Sequence, residues 1–225
     1  MAERGVIIVA GGVGQRMGGS LPKQFMMLGN EPILARTINL FREALPKAEI
    51  VVVLPEEHIP LWKNLSARFD VATHKITVGG KERFHSVKNG IAALSDDVKS
   101  IAIHDAVRPL LSKKLIIRLT LSAEQHRAVI PVVAPADSVR VITGEESHIV
   151  NRSTLRMVQT PQIFDAELLR RAYEQEFSPL FTDDASVVEM LGEQIHLEEG
   201  EVQNIKITTP TDLIIARAII EENEA

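Results

Sequence analysis

Five glycines at positions 11, 12, 14, 18 and 19 enclose Arg16, and a second cation, Lys23, follows four residues after the last of them. Glycine lets the backbone come close to a ligand and turn bare N–H groups onto its oxygens. A guanidinium and an ammonium at the same place add full positive charge. The apolar run Val6–Ala10 ahead of the loop reads as a buried strand. The chemistry offered is an anion cradle on a strand-to-helix turn, and a nucleotide phosphate is the anion it fits. Two familiar loops are excluded on single residues. Met17 stands where the dinucleotide fingerprint needs its third glycine, and Ser20 follows Gly19 where a P-loop needs lysine.

Other chemistry-bearing residues are spaced along the chain. Gly79-Gly80-Lys-Glu-Arg83-Phe-His-Ser86 is a second glycine turn before a helical pattern. Gly80 would admit a flat base or ribose, Ser86 offers a hydroxyl, and Arg83 is a candidate phosphate cation. A tight turn with a solvated charged surface explains the same residues. His104-Asp105-Ala-Val-Arg108 ends the fourth apolar run. Asp105 stands where an α/β enzyme would hold Mg2+, a hard cation that takes oxygen ligands, and Arg108 would hold a second anion. His104 reads as part of the strand end. Without a His/Cys cluster, zinc is disfavoured. Asn204-Ile-Lys206-Ile-Thr208 puts a lysine between two isoleucines, on the opposite face of an extended segment. Thr160-Pro-Gln162 and Thr182-Asp-Asp-Ala-Ser186 offer hydroxyls and helix-start amides to a phosphate.

The elements that must position these groups follow from periodicity. Strands are expected at Val6–Ala10, Ile50–Leu54, Lys75–Val78, Ser100–His104 and Ala128–Val133. Between them come helices from about Pro32, over Glu56–Phe69, over Phe84–Leu94, and from an Ser112 cap to about Gln125. This alternation implies an α/β fold, a mainly parallel sheet with helices on both faces. The loops 11–24, 79–86 and 105–109 would then gather at the carboxyl edge of the sheet. Residues 138–150 break the rhythm with an alternating hairpin around Gly144. An isolated hairpin is marginal in water, so it reads as an arm packing on a second subunit, with Arg152 at its base. Asn204–Thr208 reads as a last strand. A C-terminal helix then begins with Pro210 in its first turn and Asp212 three residues after the Thr209 cap.

Composition sets the limits. The 225 residues suit one domain, expected over 1–225 with the arm at about 137–153. A net charge of −5 argues against general nucleic-acid binding. No apolar run reaches the roughly 18 residues of a membrane span, and the N-terminus runs directly into the first strand without room for a signal peptide. The absence of cysteine is compatible with a reducing, cytoplasmic setting.

Ala10–Gly18, Pro22-Lys-Gln24, Gly79-Gly80 with Arg83 and Ser86-Val87, His104–Pro109, Thr160–Gln162, Thr182–Ser186 and Asn204–Thr208 occur in an order that resembles the 2-C-methyl-D-erythritol 4-phosphate cytidylyltransferases of the non-mevalonate isoprenoid pathway. The likeness spans nearly the whole chain. It implies a Rossmann-like domain, a homodimer built through the β-arm, CTP as substrate and Mg2+. It implies catalytic roles for Arg16, Lys23, Arg152 and Lys206, with Arg152 supplied by the partner subunit. It implies nucleotide contacts at Ala10, Gly11, Gly12, Gly14, Gly80, Arg83, Ser86, Asp105 and Ala106. Acceptor contacts fall at Arg108, Asp137, Ser138, Arg152, Thr160, Thr182 and Lys206, and the metal at Asp105. Gly11 and Ser138 depart from the family's usual alanine and threonine but keep the small size and the hydroxyl. A cytidylyltransferase for another polyol phosphate, such as ribitol 5-phosphate, fits the same residues. A non-catalytic nucleotide-binding regulator is a different class, and the full set of cations speaks against it.

Overall fold

The computed structural model describes residues 3–11 and 21–224. Gly12, Gly14, Arg16 and Met17 lie outside them. The elements in order are β1 (Arg4–Val9), β2 (Met27–Leu28), β3 (Glu31–Pro32), α1 (Ile33–Ala44), β4 (Glu49–Leu54), α2 (Ile59–Arg68), β5 (Lys75–Val78), α3 (Arg83–Ala93), β6 (Ser100–Asp105), α4 (Lys113–Ser122), β7 (Ala128–Val133), β8 (Val139–Thr143), β9 (Glu146–Val150), β10 (Met157–Val158), β11 (Gln162–Asp165), α5 (Ala166–Ala172), α6 (Asp184–Glu189), β12 (His196–Glu199) and α7 (Pro210–Glu224).

β1 is central because its residues are apolar on both faces. Val6 and Ile8 pack with α1, α2 and α4 residues such as Phe41, Trp62 and Leu115. Ile7 turns the other way, onto Val87 and Ile91 of α3 and Leu168 of α5. Successive side chains of a strand alternate in this manner, and a sheet buried on both sides needs a near-continuous apolar run. β4 and β6 flank β1 in parallel, and β5 lies beyond β4. On the other side of β6 come β11, β7 and β12. The chain thus moves outward from β1 through β4 to β5, then returns to β6 on β1's opposite side. In open sheets that reversal is where ligands bind, outside the strand ends.

The mainly parallel sheet with helices on both faces is therefore present. Three details differ from the sequence expectation. The return strands β10 and β11 run antiparallel to their neighbours, making the sheet mixed. The segment expected as one helix from Glu56 opens as a 3-10 turn, Glu56–His58, with α2 starting beside Pro60, which cannot donate to the preceding turn. Asn204–Thr208 is not a strand: the edge beside β7 is taken by β12, which sequence reading missed. Ile205 and Ile207 still face one way, into a third cluster with Leu28, Ile33 and Leu213 of α7. The hairpin β8–β9 forms a two-stranded sheet of its own with Ile142 and Ile149 largely exposed.

Helix α3 reaches the sheet at Gly90. A Cβ there would lie 2.6 Å from Ile7 Cγ2 and 3.1 Å from Val53 Cγ2, both on stiff β-branched side chains. Gly90→Ala gains helix propensity of about 1 kcal/mol but overpacks the core by about 1–3 kcal/mol. Urea denaturation should therefore show a lower midpoint for Gly90→Ala.

Candidate active site

The ends of β1 and β6 are adjacent, Val9 opposite Asp105. Ala10 N–H donates to Val53 O, Ala106 N–H to Val9 O and Gly79 N–H to Leu54 O. These bonds tie the starts of the three expected loops to one edge of the sheet. There the described residues line a cleft of about 340 Å³ formed by Ala10, Gly11, Lys23, Gln24, Gly80, Arg83, Ser86, Asp105, Lys206 and neighbours. A second cleft of about 270 Å³ is lined by Arg108, Thr160, Gln162, Thr182 and Asp183, and shares Arg83, Asp105 and Lys206 with the first. Two compartments thus meet at one wall of charged side chains.

Asp105 is the centre of that wall. Lys206 Nζ lies 2.9 Å from Oδ2, Arg108 Nε 3.5 Å from the same oxygen, and Arg83 Nε 3.7 Å from Oδ1. Burial alone would push the carboxyl up, but Arg83, Lys206 and Arg108 outweigh it and hold Asp105 well below the usual carboxylate range.

Arg83 has a task that the sequence did not disclose. Its two terminal nitrogens form a fork on Asp184, at 2.8 and 2.7 Å, and Tyr173 donates to the same carboxylate at 2.6 Å. Burial would depress the guanidinium, but Asp184 and Asp105 hold it above the ordinary arginine value. Its first role is thus to neutralise a fully buried carboxylate, with the cleft receiving its flank. Asp184 was missed because a second aspartate at a helix start looks like a cap. The cap is Asp183, which accepts from Ser186 N–H while Ser186 Oγ accepts from Asp183 N–H.

Ser86 also serves the fold first. Its hydroxyl accepts from Gly80 N–H at 3.1 Å and donates to Glu82 O, closing the turn. A Cβ on Gly80 would fall 2.3 Å from His85 Cβ, so the turn requires glycine there. Lys23 sits in a 3-10 turn whose Phe25 stacks on Trp62 in the core, ring centroids 5.8 Å apart. Gln24, within the Pro22-Lys-Gln24 run but not singled out as a site residue, lines the cleft and donates to Ala10 O.

Five expected site residues have partners or surroundings that the sequence did not disclose. Ala106 is fully buried under the cleft, its N–H bonded to Val9 and its carbonyl to Thr37 Oγ1, because the loop turns inward after Asp105. Thr160 borders the second cleft, yet its hydroxyl accepts from Asp105 N–H and meets His104 Nδ1 at 3.0 Å. Arg152 bonds to Ala136 O at the exposed base of the arm. Asp137 and Ser138 are exposed there too, and none of these three lines this chain's two clefts.

His104 completes the scaffold beneath Asp105. Its Nε2 faces Arg108 O, which can only accept, so Nε2 carries the proton. Nδ1 then accepts from Thr160 Oγ1, which in turn takes Asp105 N–H. Among the described residues no group of three or more His, Asp or Glu could hold a metal. Asp105 alone still fits a Mg2+ of the kind bound by one carboxylate plus substrate phosphates.

With the geometry in view, the comparisons are specific. The family model described as 2-C-methyl-D-erythritol 4-phosphate cytidylyltransferase matches residues 5–222. The chain belongs to that family. A cytidylyltransferase of this name from Bacteroides fragilis is 50% identical over 219 residues, covering 96% of this chain and 99% of that one. Its counterpart from Bacteroides thetaiotaomicron is 48% identical over 97% of this chain and 100% of its own. The crystal structure of the Anaerococcus prevotii 4-diphosphocytidyl-2C-methyl-D-erythritol synthase aligns with a TM-score of 0.83 at 28% identity, over 97% of this chain and 96% of that one. The Thermus thermophilus cytidylyltransferase gives 0.75 at 30% identity, over 98% and 100%.

A pH dependence of stability follows from His104. Burial lowers its pKa from 6.5 to about 4, so the native state keeps the ring neutral while the unfolded chain protonates it. The unfolded state binds more protons between those values, and stability present above pH 6.5 is lost as pH falls toward 4. The loss is about 3 kcal/mol, with a contribution of the same sign from half-buried His74. Urea titrations across that window should show the slope, and His104→Asn should flatten most of it.

Proposed function

We propose that this chain transfers CMP from CTP to 2-C-methyl-D-erythritol 4-phosphate, releasing pyrophosphate, as a cytoplasmic homodimer. The observation that carries the reading is the pair of clefts meeting at Asp105, Arg83 and Lys206. One takes the nucleotide and the other the acceptor, so two polyanions meet across a wall that carries the cations.

An oxygen of the acceptor's phosphate attacks the α-phosphorus, forming the new P–O bond as the α–β bridging bond breaks and its electron pair leaves on pyrophosphate. A phosphomonoester has a second pKa of about 6, so the nucleophile is already largely dianionic at neutral pH and no general base is needed. Preorganised cations supply the catalysis. Lys23, which lines the nucleotide cleft, faces charge developing at the α-phosphate, and the resemblance implies the same role for Arg16, which lies outside the described residues. Lys206 and Arg108, held by Asp105 before substrate arrives, orient the acceptor phosphate. Mg2+ held by Asp105 and the substrate phosphates would add charge neutralisation at the triphosphate.

The arm supports a dimer by its chemistry. Ile142 and Ile149 are 76% and 77% exposed on a hairpin with no core of its own, a surface that calls for a partner. Arg152 at its base would then face the partner's acceptor cleft. No described helix is long and apolar enough to cross a membrane.

Pyrophosphate release from CTP tests the assignment, using a panel of polyol phosphates that includes ribitol 5-phosphate, with Mg2+ and with chelator. Methylerythritol phosphate should give the highest kcat/KM and chelator should abolish it. Silence with every acceptor removes the transferase reading.

A further inference from the structure

Segment 204–208 carries Lys206 to Asp105 without belonging to the sheet. It makes one backbone-to-backbone bond to the β6 loop, from Ile207 N–H to Val107 O at 2.9 Å. Its far end is fixed by Ile207, fully buried in the third cluster, and by Thr208 N–H donating to Asp212 Oδ2 at 2.8 Å. Its near end, ahead of Lys206, is held by a pair of buried side-chain amides. Gln159 Nε2 donates to Glu201 O at 2.8 Å while its Oε1 accepts from Glu201 N–H at 3.2 Å. This two-way exchange is what a neighbouring strand residue would make. Fully buried Asn204 donates through Nδ2 to Thr160 O at 2.9 Å and lies 3.4 Å from Gln159 Oε1. Its carbonyl accepts from Arg108 Nη1 at 2.9 Å. Gly200 makes room, since a Cβ there would lie 2.4 Å from Gln159 Oε1.

We propose that Asn204 and Gln159 are positioning residues for Lys206: their amides replace the missing strand ladder and set the distance of its ammonium from Asp105 and the acceptor phosphate. The inference rests on the acceptor-side reading of Lys206 given above. Asn204 lines neither cleft and Gln159 borders only the acceptor cleft, so their effect should fall on the acceptor.

Asn204→Asp keeps the shape but removes the donor and sets a carboxylate against Thr160 O. Pyrophosphate-release kinetics on the full-length enzyme should show kcat/KM for the acceptor reduced on the order of tenfold, with KM for CTP unchanged. In a Lys206→Ala background the same substitution should change acceptor kcat/KM by less than about twofold, the margin expected when nothing remains to couple. Gln159→Met, which removes both exchanges without adding charge to the acceptor cleft that Gln159 borders, should show the same pattern and serves if Asn204→Asp does not fold. Equal losses in both backgrounds, or a CTP KM raised as much as the acceptor's, would overturn the proposal. So would failure of both variants to fold, since the amides would then support the whole domain. Wild-type acceptor kinetics in Lys206→Ala alone would instead remove the reading of Lys206 on which it rests.

Discussion

One buried carboxylate draws three cations to a single point. Asp105 stands at the end of β6 with Lys206, Arg108 and Arg83 within 3.7 Å of its oxygens. Without an anion at that place, three positive side chains around one small space would repel each other and turn to water. With it, they wait in position, partly desolvated, at the seam between two clefts. Preorganisation of this kind makes a fixed cation effective on a developing phosphate charge, because no reorganisation is needed when the charge appears.

The rest of the fold keeps that carboxylate where it is. The reversal of strand order at β1 brings the loops after β1, β5 and β6 to one edge. Neutral His104 and Thr160 fix the peptide of Asp105 from below. Asp184, with Tyr173, fixes Arg83 from the far side. Each cation reaches the seam from a different element, so the arrangement requires tertiary structure and no single motif contains it. The acidic chain, net −5, thereby gathers positive charge locally for two anionic substrates.

Much of this was legible in the residues. Apolar runs between helical patterns announced the α/β alternation, and the positions of Gly11, Gly80 and Asp105 just after strands placed them on one edge. The pairing of Lys206 with that edge was legible from the order Asn204–Thr208, although the segment is not the strand its alternation suggested. Isoleucines on one face mark burial, and burial here comes from α7 rather than a strand neighbour. Asp184 and Gln159 were not legible, since a buried carboxylate and a ladder-mimicking amide are defined by partners over 40 residues away. The burial of Ala106 was not legible either, since a neighbour of a site residue can point into the core when the chain turns.

The central claim is that the ionised Asp105 organises the cations that act on the two phosphates. Asp105→Asn keeps the shape and removes the charge, and its kcat for pyrophosphate release from CTP and methylerythritol phosphate tests the claim most directly. The account predicts a fall on the order of 10²-fold or more, the scale of a lost electrostatic contribution to the transition state. A folded Asp105→Asn enzyme with wild-type kcat would contradict it.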